Sequence, residues 1–204
     1  MCNLYRLDTP ANQIAGAFEI KPDMMEWQGD YVAPGKPGVV ILGVGGERKT
    51  ALMRWGFSTR RPRKTAPKAG QPNYVTEYWT NARNLDRPMW RSWLAQPTQR
   101  CLVPFTRFSE PKAQAARAEA RDLHWWFTVP ESRLPCFAGV WKQTSEGLEY
   151  AFLTCEPNAL VEPLHPKAMP VILLPDDYDR WLTGSIADAL ALQAPFPSQL
   201  MAVA

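Results

Sequence analysis

The second residue of the chain is a cysteine, and this position gives it a chemistry that an internal cysteine cannot have. If Met1 is removed, Cys2 becomes a 1,2-aminothiol, whose amine has an ordinary pKa of about 7.7–8.0 and whose thiol has one of about 8.5. Both groups are then partly nucleophilic near neutral pH. The amine can attack an aldehyde to form a Schiff base, and the thiol can close a thiazolidine ring on the same carbon. Position alone does not distinguish this chemistry from a chance cysteine after Met1.

Three later segments contain side chains suited to proton transfer or phosphate binding. Asn81 offers a donor and an acceptor, and Arg83 has a guanidinium fork that matches phosphate. Glu110 follows an aromatic-rich stretch and precedes a proline, where partial burial would raise the pKa of its carboxyl. His165 lies on a proline-flanked loop before an apolar run, where it can act as an acid or base. Taken singly, each of these residues is as well explained by a turn, surface or strand-end role.

A basic stretch lies between Cys2 and these segments. From Arg54 to Lys68 the chain has six basic residues and no acidic one, with Trp55 and Phe57 among them. Cations for phosphates combined with aromatic faces for bases are typical of a single-strand nucleic-acid surface, although a solvated loop is the ordinary alternative. From Asp176 onward the chain has four acids and one base, a net charge of −3. The net charge of the whole chain is +3, so residues 1–175 carry +6.

Composition excludes several classes of protein. The chain is 46% apolar and 21% charged, which is ordinary for a globular domain, and its 20 prolines favour short strands over a helical bundle. The apolar run Val39–Val44 is far shorter than the ~20 residues of a membrane span, and residues 1–6 do not resemble a signal peptide. Four dispersed cysteines without a CxxC pair, with only two histidines, predict reduced thiols and no structural zinc site.

Apolar and alternating runs separated by turn residues predict one α+β domain of bent antiparallel sheets, which must position these residues. Seven apolar or alternating runs predict strands: Val39–Val44, Thr50–Trp55, Arg100–Phe105, His124–Val129, Cys136–Trp141, Tyr150–Thr154 and Met169–Leu174. Short helices are predicted after a cap at Asp8–Pro10 and over Leu85–Leu94, Asp176–Leu182 and Ser185–Leu192. The Ala-rich segment Lys112–Asp122 is predicted to be a surface excursion between strands.

In their order and spacing, these motifs resemble the SOS response-associated peptidase (SRAP) family, over about residues 2–182. The segments that carry the resemblance are Met1-Cys2, Arg54-Trp55-Gly56, Asn81-Ala82-Arg83, Arg100–Pro104 with Glu110, Phe137–Trp141, and His165 with Met169–Leu173. The chain departs from the family pattern after Cys2, where Asn3-Leu4-Tyr5 stands in place of Gly-Arg-Phe. It also has Lys167, in a segment one residue longer, where the family has arginine.

The resemblance implies a single barrel-like α+β domain over residues 1–204 with short peripheral helices and a positively charged DNA groove. It further implies a sensor that bonds covalently to abasic sites in single-stranded DNA, including sites near duplex junctions. Carried over by motif, Cys2 is the nucleophile, Asn81 holds the sugar and the Cys2 amine, Glu110 moves protons at the amine, and His165 assists opening of the sugar. The side chains expected to contact DNA are Arg54, Trp55, Arg60, Arg61, Arg83, Thr154 and Lys167.

The same resemblance implies removal of Met1, by self-processing or by an aminopeptidase, and implies neither a metal nor an organic cofactor. We expect a monomeric, cytoplasmic, nucleoid-associated protein without a membrane partner, in which AP-lyase activity can accompany crosslinking. Two other classes stay open. A thiol peptidase acting in trans, with Cys2 as nucleophile and His165 as base, would cleave peptides without DNA. A passive single-strand-binding module would show salt-sensitive binding that Cys2→Ala leaves unchanged.

Overall fold

The computed structural model of the protein describes residues 2–21, 26–112 and 123–204. These residues form strands β1 (Leu4–Leu7), β2 (Asp30–Val32), β3 (Pro37–Val44), β4 (Glu47–Trp55), β5 (Phe57–Pro62), β6 (Tyr74–Trp79), β7 (Asn81–Ala82), β8 (Arg100–Pro104), β9 (Arg107–Pro111), β10 (His124–Thr128), β11 (Cys136–Thr144), β12 (Gly147–Cys155), β13 (Met169–Pro170), β14 (Ile172–Leu173) and β15 (Ala202–Val203). The helices are α1 (Ala11–Ala17), α2 (Pro88–Leu94), α3 (Tyr178–Thr183) and α4 (Ile186–Ala191). Apart from Lys112, the excursion predicted at Lys112–Asp122 lies outside the described residues.

Five strands close into a barrel in the order β4-β3-β8-β11-β12, with β12 returning to β4. Four of these contacts are antiparallel, whereas β12 and β4 run parallel, with Glu149 opposite Arg54. One parallel contact is geometrically required, because an odd number of strands in a closed ring cannot all alternate in direction. The predicted α+β domain with a barrel-like core is confirmed. The expected antiparallel pairing holds for β12 with β11 and β13, but the contacts of β12 with β4 and β7 are parallel.

A second sheet, in the order β15-β10-β9-β1-β2, is antiparallel throughout. Because side chains alternate along a strand, the register that pairs Tyr5 with Phe108 turns both rings to the same face. Both are fully buried, and the Tyr5 hydroxyl lies 2.5 Å from that of Tyr150 on β12 of the barrel. The Tyr5 ring also packs edge-on against Phe137 and Phe152 of the barrel. Sheet and barrel therefore share one core.

Strands β7 and β13 pair with β12, and β14 pairs with β11, whereas β5 and β6 pair with each other and form a two-stranded ribbon. We call it the β5–β6 ribbon. The basic stretch recognised in the sequence enters β5 directly from barrel strand β4. At its other end, β6 leads through Thr80 into β7, which pairs with β12 of the barrel. The ribbon thus connects the basic stretch to Asn81.

Local sequence accounts for the helices and turns. Each of the seven runs predicted as strands contains a strand, and Gly45 and Gly46 have φ of 61° and 81°, as the two-residue turn between β3 and β4 requires. Ser185 and Asp188 form the predicted capping box of α4. The cap predicted for α1 is wrong, because Pro10 occupies the N-cap position and no side chain caps that helix. No helix in the described ranges is long and apolar enough to cross a membrane.

A buried arginine joins the helices to the barrel. Arg100, at the start of β8, is 1% exposed, and its guanidinium donates to the backbone oxygens of Leu94, Trp181 and Gly184 at 2.5–3.0 Å. These carbonyls lie at the C-terminal ends of α2 and α3, where helices leave oxygens without intrahelical partners and concentrate negative potential. One cation therefore satisfies the ends of two helices.

Replacing this arginine should reduce the stability of the fold. We expect Arg100→Met to lower the free energy of unfolding by about 3 kcal/mol, because it leaves buried carbonyl oxygens without donors. Equilibrium urea denaturation followed by tryptophan fluorescence measures the change. Arg133→Met, at an exposed position, is the matched control. Equal unfolding free energies for the two variants would contradict a structural role for the Arg100 guanidinium.

Candidate active site

The pairing of β1 with β9 places Cys2 beside Glu110. Leu4 pairs with Ser109, whose hydroxyl donates to the Leu4 carbonyl at 3.0 Å. The Cys2 Sγ lies 3.6 Å from the same carbonyl, and the residue is completely buried. Burial, and secondly the negative charge of Glu110, raises the pKa of the Cys2 thiol well above its ordinary value. The thiol is therefore neutral at physiological pH.

Asn81 holds the backbone of Cys2. Its strand β7 runs parallel to β12, with Asn81 opposite Phe152. The Asn81 Nδ2 donates to the Cys2 carbonyl oxygen at 3.0 Å and to the Thr80 hydroxyl at 2.7 Å. Its Oδ1 is buried and accepts no hydrogen bond from the described residues. Asn81 thus fixes Cys2 with one end of its amide and presents an acceptor at the other.

Glu110 and His165 form a buried acid–base pair. The His165 Nδ1 lies 3.5 Å from Glu110 Oε2 and 3.0 Å from the Ala168 carbonyl oxygen. A carbonyl can only accept, so Nδ1 carries the proton and Nε2 is the basic nitrogen. Burial raises the pKa of Glu110 to about 7, and burial lowers that of His165. Near pH 7 the imidazole is neutral, while the carboxyl is poised between its acid and base forms.

Thr154 lies on β12 opposite Pro170 of β13, the strand that follows the loop with His165. It is completely buried, and its hydroxyl has no hydrogen-bond partner among the described residues. Its alternation with Phe152 puts it on the strand face that also borders Asn81. The Thr154 hydroxyl and the Asn81 Oδ1 are therefore two buried polar atoms without a hydrogen-bond partner among the described residues.

The family comparison covers the whole chain. The family model described as SOS response associated peptidase (SRAP) matches residues 1–204. The chain belongs to the SRAP family. Membership places it among peptidase-like proteins associated with DNA damage and the SOS response. A comparison with curated protein sequences found no significant match.

Three solved structures share the fold of this SRAP chain. A protein from Bordetella bronchiseptica is 24% identical, with a TM-score of 0.70 over 100% of this chain and 98% of that one. A protein from Bacteroides thetaiotaomicron is 18% identical, with a TM-score of 0.74 over 99% and 90%. A phage-related protein from Bordetella bronchiseptica is 17% identical, with a TM-score of 0.68 over 100% and 93%. At these identities the likeness shows the fold.

The basic stretch carries less free charge than its sequence indicates. Arg54 donates to the buried Glu149 at 2.6 Å, which joins β4 to β12 on the face opposite to Trp55 and Tyr150. Arg60 pairs with Glu146, which is distant in sequence in the turn between β11 and β12. Arg61 pairs at 2.6 Å with Glu77 on the facing strand β6. Arg54 is partly exposed, and Arg60 and Arg61 are exposed, so their expected contact with DNA stays a prediction, in which each phosphate contact must compete with an existing ion pair.

Trp55 does not have the position expected of a residue that stacks on DNA bases. It is completely buried, its ring stacks on Phe152 at 5.0 Å, and its Nε1 donates to the Thr80 carbonyl at 3.1 Å. A ring with no exposed face cannot contact a base, so this expectation is corrected. Its contact with Thr80 instead steadies the residue before Asn81.

The last two expected cationic contacts lie on either side of β12. Arg83 donates to the Cys155 carbonyl and to the Glu156 carboxylate. Lys167 is exposed. Burial is the main cause of the lowered pKa of His165, and the positive charge of Lys167 makes a smaller contribution in the same direction. Lys167 is thus close enough to the acid–base pair to act on it, while both terminal nitrogens of the Arg83 guanidinium already donate within the protein.

Two exposed aromatic residues near the site were not among the residues predicted from the sequence. Tyr78 and Trp79, at the end of β6, are 37% and 45% exposed, and Thr80 separates them from Asn81. The sequence did carry a signal for them, since two adjacent aromatic residues stand just before the motif residue Asn81. Within the described ranges, no three His, Cys, Asp or Glu side chains are close enough to hold a metal ion.

The raised pKa of Glu110 predicts how stability depends on pH. Because its pKa is about 7 in the folded protein and 4.5 without burial, the folded state binds more protons between these values. The stability contributed by this proton is complete below about pH 4.5 and is lost as pH rises through about 7. We expect the wild-type protein to lose on the order of 3 kcal/mol across this window relative to Glu110→Gln, as measured by urea denaturation. The exposed Glu131→Gln variant should parallel wild type, and a Glu110→Gln curve that does the same would refute the assignment.

Proposed function

We propose that this SRAP protein captures abasic sites in single-stranded DNA as a covalent adduct of Cys2, after removal of Met1. The observation that carries the proposal is the burial of Glu110 beside Cys2, with its pKa at about 7 and His165 at 3.5 Å. A group that both donates and accepts protons near neutrality suits a condensation in which a proton is needed at one step and must leave at another.

The first steps join the Cys2 nitrogen to the aldehyde carbon of the opened sugar. In the encoded chain this nitrogen is part of the Met1–Cys2 amide, so hydrolysis of that bond must come first. The basic His165 Nε2 takes the proton of the anomeric hydroxyl as the bond from that carbon to the ring oxygen breaks, and it returns this proton to the released ring oxygen. The freed amine then attacks the aldehyde carbon, and one of its protons moves to the former aldehyde oxygen. Protonated Glu110 gives a second proton to that oxygen, which leaves as water. A protonated Schiff base, with one hydrogen of the amine on nitrogen, and a Glu110 carboxylate result.

The last step closes the ring. The Cys2 thiol is neutral, because its pKa is raised, so its proton must leave as the Sγ–carbon bond forms. Glu110, now a carboxylate, accepts this proton, while the electron pair of the carbon–nitrogen double bond moves to the nitrogen, which keeps its one hydrogen. One aldehyde and one aminothiol thus become one thiazolidine and one water. Ring closure removes the imine that would otherwise promote β-elimination and strand breakage, so the adduct would shield the lesion.

The neutral thiol argues against a peptidase that acts in trans. Cysteine peptidases use a thiolate whose pKa is lowered by a neighbouring cation. Here burial and the nearby Glu110 raise the pKa of Cys2, and the imidazole of His165 is neutral. In the proposed reaction the amine is the first nucleophile, and the thiol adds only to an imine that is already formed. The raised thiol pKa is therefore compatible with adduct formation and unfavourable for peptide cleavage.

Variants of Cys2 separate the two nucleophiles of the proposed reaction. Wild-type protein and a single-stranded oligonucleotide with one abasic site should give an adduct that survives denaturing electrophoresis. Its intact mass should equal the protein without Met1 plus the oligonucleotide minus one water. Cys2→Ser keeps the amine and loses the thiol, so we expect an adduct only after borohydride reduction of the Schiff base.

Two controls accompany this experiment. An oligonucleotide without the lesion should give no adduct with wild-type protein. If Cys2→Ser forms the same stable adduct as wild type without reduction, the thiol has no part in the product. If no adduct forms on protein that lacks Met1 while DNA binding persists, the protein is a passive single-strand-binding module.

The dual role of Glu110 predicts the pH profile of the reaction. Single-turnover adduct formation should be fastest near pH 7, because dehydration needs the acid form of Glu110 and ring closure needs the carboxylate. Glu110→Gln should react at least about one hundred-fold more slowly and lose this maximum. The measurement is the rate of the gel-shifted band between pH 5 and pH 9, with Glu131→Gln as the control. A Glu110→Gln profile that keeps its maximum near pH 7 would rule out this assignment.

A further inference from the structure

The outer face of the second sheet carries a cluster of arginine and aromatic side chains away from the active site. Arg6 on β1 is opposite both Tyr31 on β2 and Arg107 on β9. Trp126 on β10 completes the group, with its ring centroid 5.7 Å from that of Tyr31. We call these four residues the arginine–aromatic patch.

The two arginines converge on one oxygen atom. Arg6 Nη1 donates to the Tyr31 hydroxyl at 3.3 Å, and Arg107 Nη2 donates to it at 3.1 Å. The Arg6 guanidinium lies over the Tyr31 ring at 4.6 Å, and that of Arg107 lies over the Trp126 ring at 5.0 Å. Two like charges held this close repel each other, and a bound anion would relieve the repulsion.

The charge of the patch is only partly neutralised by the protein. Arg6 pairs with Asp8, and Asp30 accepts a hydrogen bond from the Tyr31 backbone. Arg107 has no carboxylate within ion-pair distance in the described part of the chain, and its buried Nε has no acceptor there. An arginine with unused donors next to a like charge points to an external oxyanion, which its planar fork can bind.

The aromatic members indicate what carries the anion. Tyr31 is 44% exposed and Trp126 is half-buried, so both rings present surface to solvent. Cations beside exposed aromatic rings on an antiparallel sheet provide the two contacts that a single nucleic-acid strand needs, phosphate neutralisation and base stacking. A free inorganic anion would use the arginines alone and leave the rings without a partner.

The position of the patch relates it to the candidate site. Arg107 and Glu110 are three residues apart on β9, about 10 Å at the rise of an antiparallel strand, and they face opposite sides of the sheet. Single-strand-binding grooves contact several nucleotides at once, about 4–16 in comparable modules. To run from a lesion held at Glu110 to the patch, the strand must pass around an edge of this sheet, and a flanking segment of several nucleotides is long enough to do so.

We propose that the arginine–aromatic patch binds the single-stranded DNA that flanks the captured lesion, with Arg107 on a phosphate and Tyr31 or Trp126 under a base. The inference rests on the proposed function, which supplies the DNA strand. It assigns DNA contacts to residues outside the basic stretch, whose arginines are mostly paired within the protein.

Binding to a lesion-free strand tests the patch without the covalent step. The full chain is titrated into a labelled single-stranded oligonucleotide of about 12 nucleotides, and anisotropy is followed at several salt concentrations. We expect Arg107→Gln and Trp126→Leu each to weaken binding about five-fold or more. Arg107→Gln should also make the slope of log affinity against log salt shallower by about 0.7, the effect of one phosphate contact.

Controls separate binding from folding. Arg133→Gln removes one exposed arginine outside the patch and should leave the salt slope unchanged. Urea denaturation of each variant checks the fold, and Tyr31→Leu provides a second variant on edge strand β2 if Trp126→Leu is unstable. Folded patch variants that bind the strand as tightly as wild type would overturn the inference.

Adduct formation distinguishes this inference from the proposed function. On a lesion-containing strand, Arg107→Gln should reach the wild-type adduct yield at saturating DNA but need about five-fold more DNA to do so. If wild-type protein forms the adduct and Arg107→Gln needs no extra DNA, the patch assignment fails and the proposed function stands. If wild-type protein forms no adduct while patch variants still weaken strand binding, the proposed function fails and the patch remains a nucleic-acid surface.

Discussion

The register between β1 and β9 is the constraint on which the rest of the structure depends. It turns Tyr5 into the shared core, where its ring contacts Trp55 at 5.3 Å, and it brings Cys2 to Glu110. A slip of one residue would exchange the faces of the strand, exposing Tyr5 and burying Arg6. That exchange would cost the free energy of burying Tyr5. Because the same pairing buries Tyr5 and positions Cys2, this free energy also fixes the position of Cys2.

Burial then determines the chemistry of the site more than any ion pair does. Desolvation raises the pKa values of Cys2 and Glu110 and lowers that of His165, so all three groups favour their uncharged forms. A site of this kind holds no strong nucleophile at rest, and reactivity depends on proton transfers that a substrate triggers. The hydrogen bond from Asn81 to the Cys2 carbonyl oxygen fixes the position of the nucleophile, a role that ion pairs have in other sites.

The barrel strands could be predicted from sequence, because long apolar runs are strong local signals. The four candidate catalytic residues, Cys2, Asn81, Glu110 and His165, have weak local signals, and only the order and spacing of their motifs, through the family resemblance, selected them. The environments of Trp55 and Arg54 could not be predicted, since both depend on β12, whose contact with β4 joins residues almost one hundred positions apart. The short, polar edge strands β2, β5 and β6 have too little apolar periodicity to be recognised.

The ion pairs of the basic stretch bear on how the protein would select a lesion. An arginine already paired with a carboxylate gains less from a phosphate, because the new contact must replace or share an existing one. Arg54 and Arg61 are in this position, and the chain has a net charge of only +3. Non-specific attraction to undamaged DNA would then be modest and readily reversible. On the proposed function, selectivity would come from the aldehyde, since only a strand with an abasic site can react with Cys2 and remain bound.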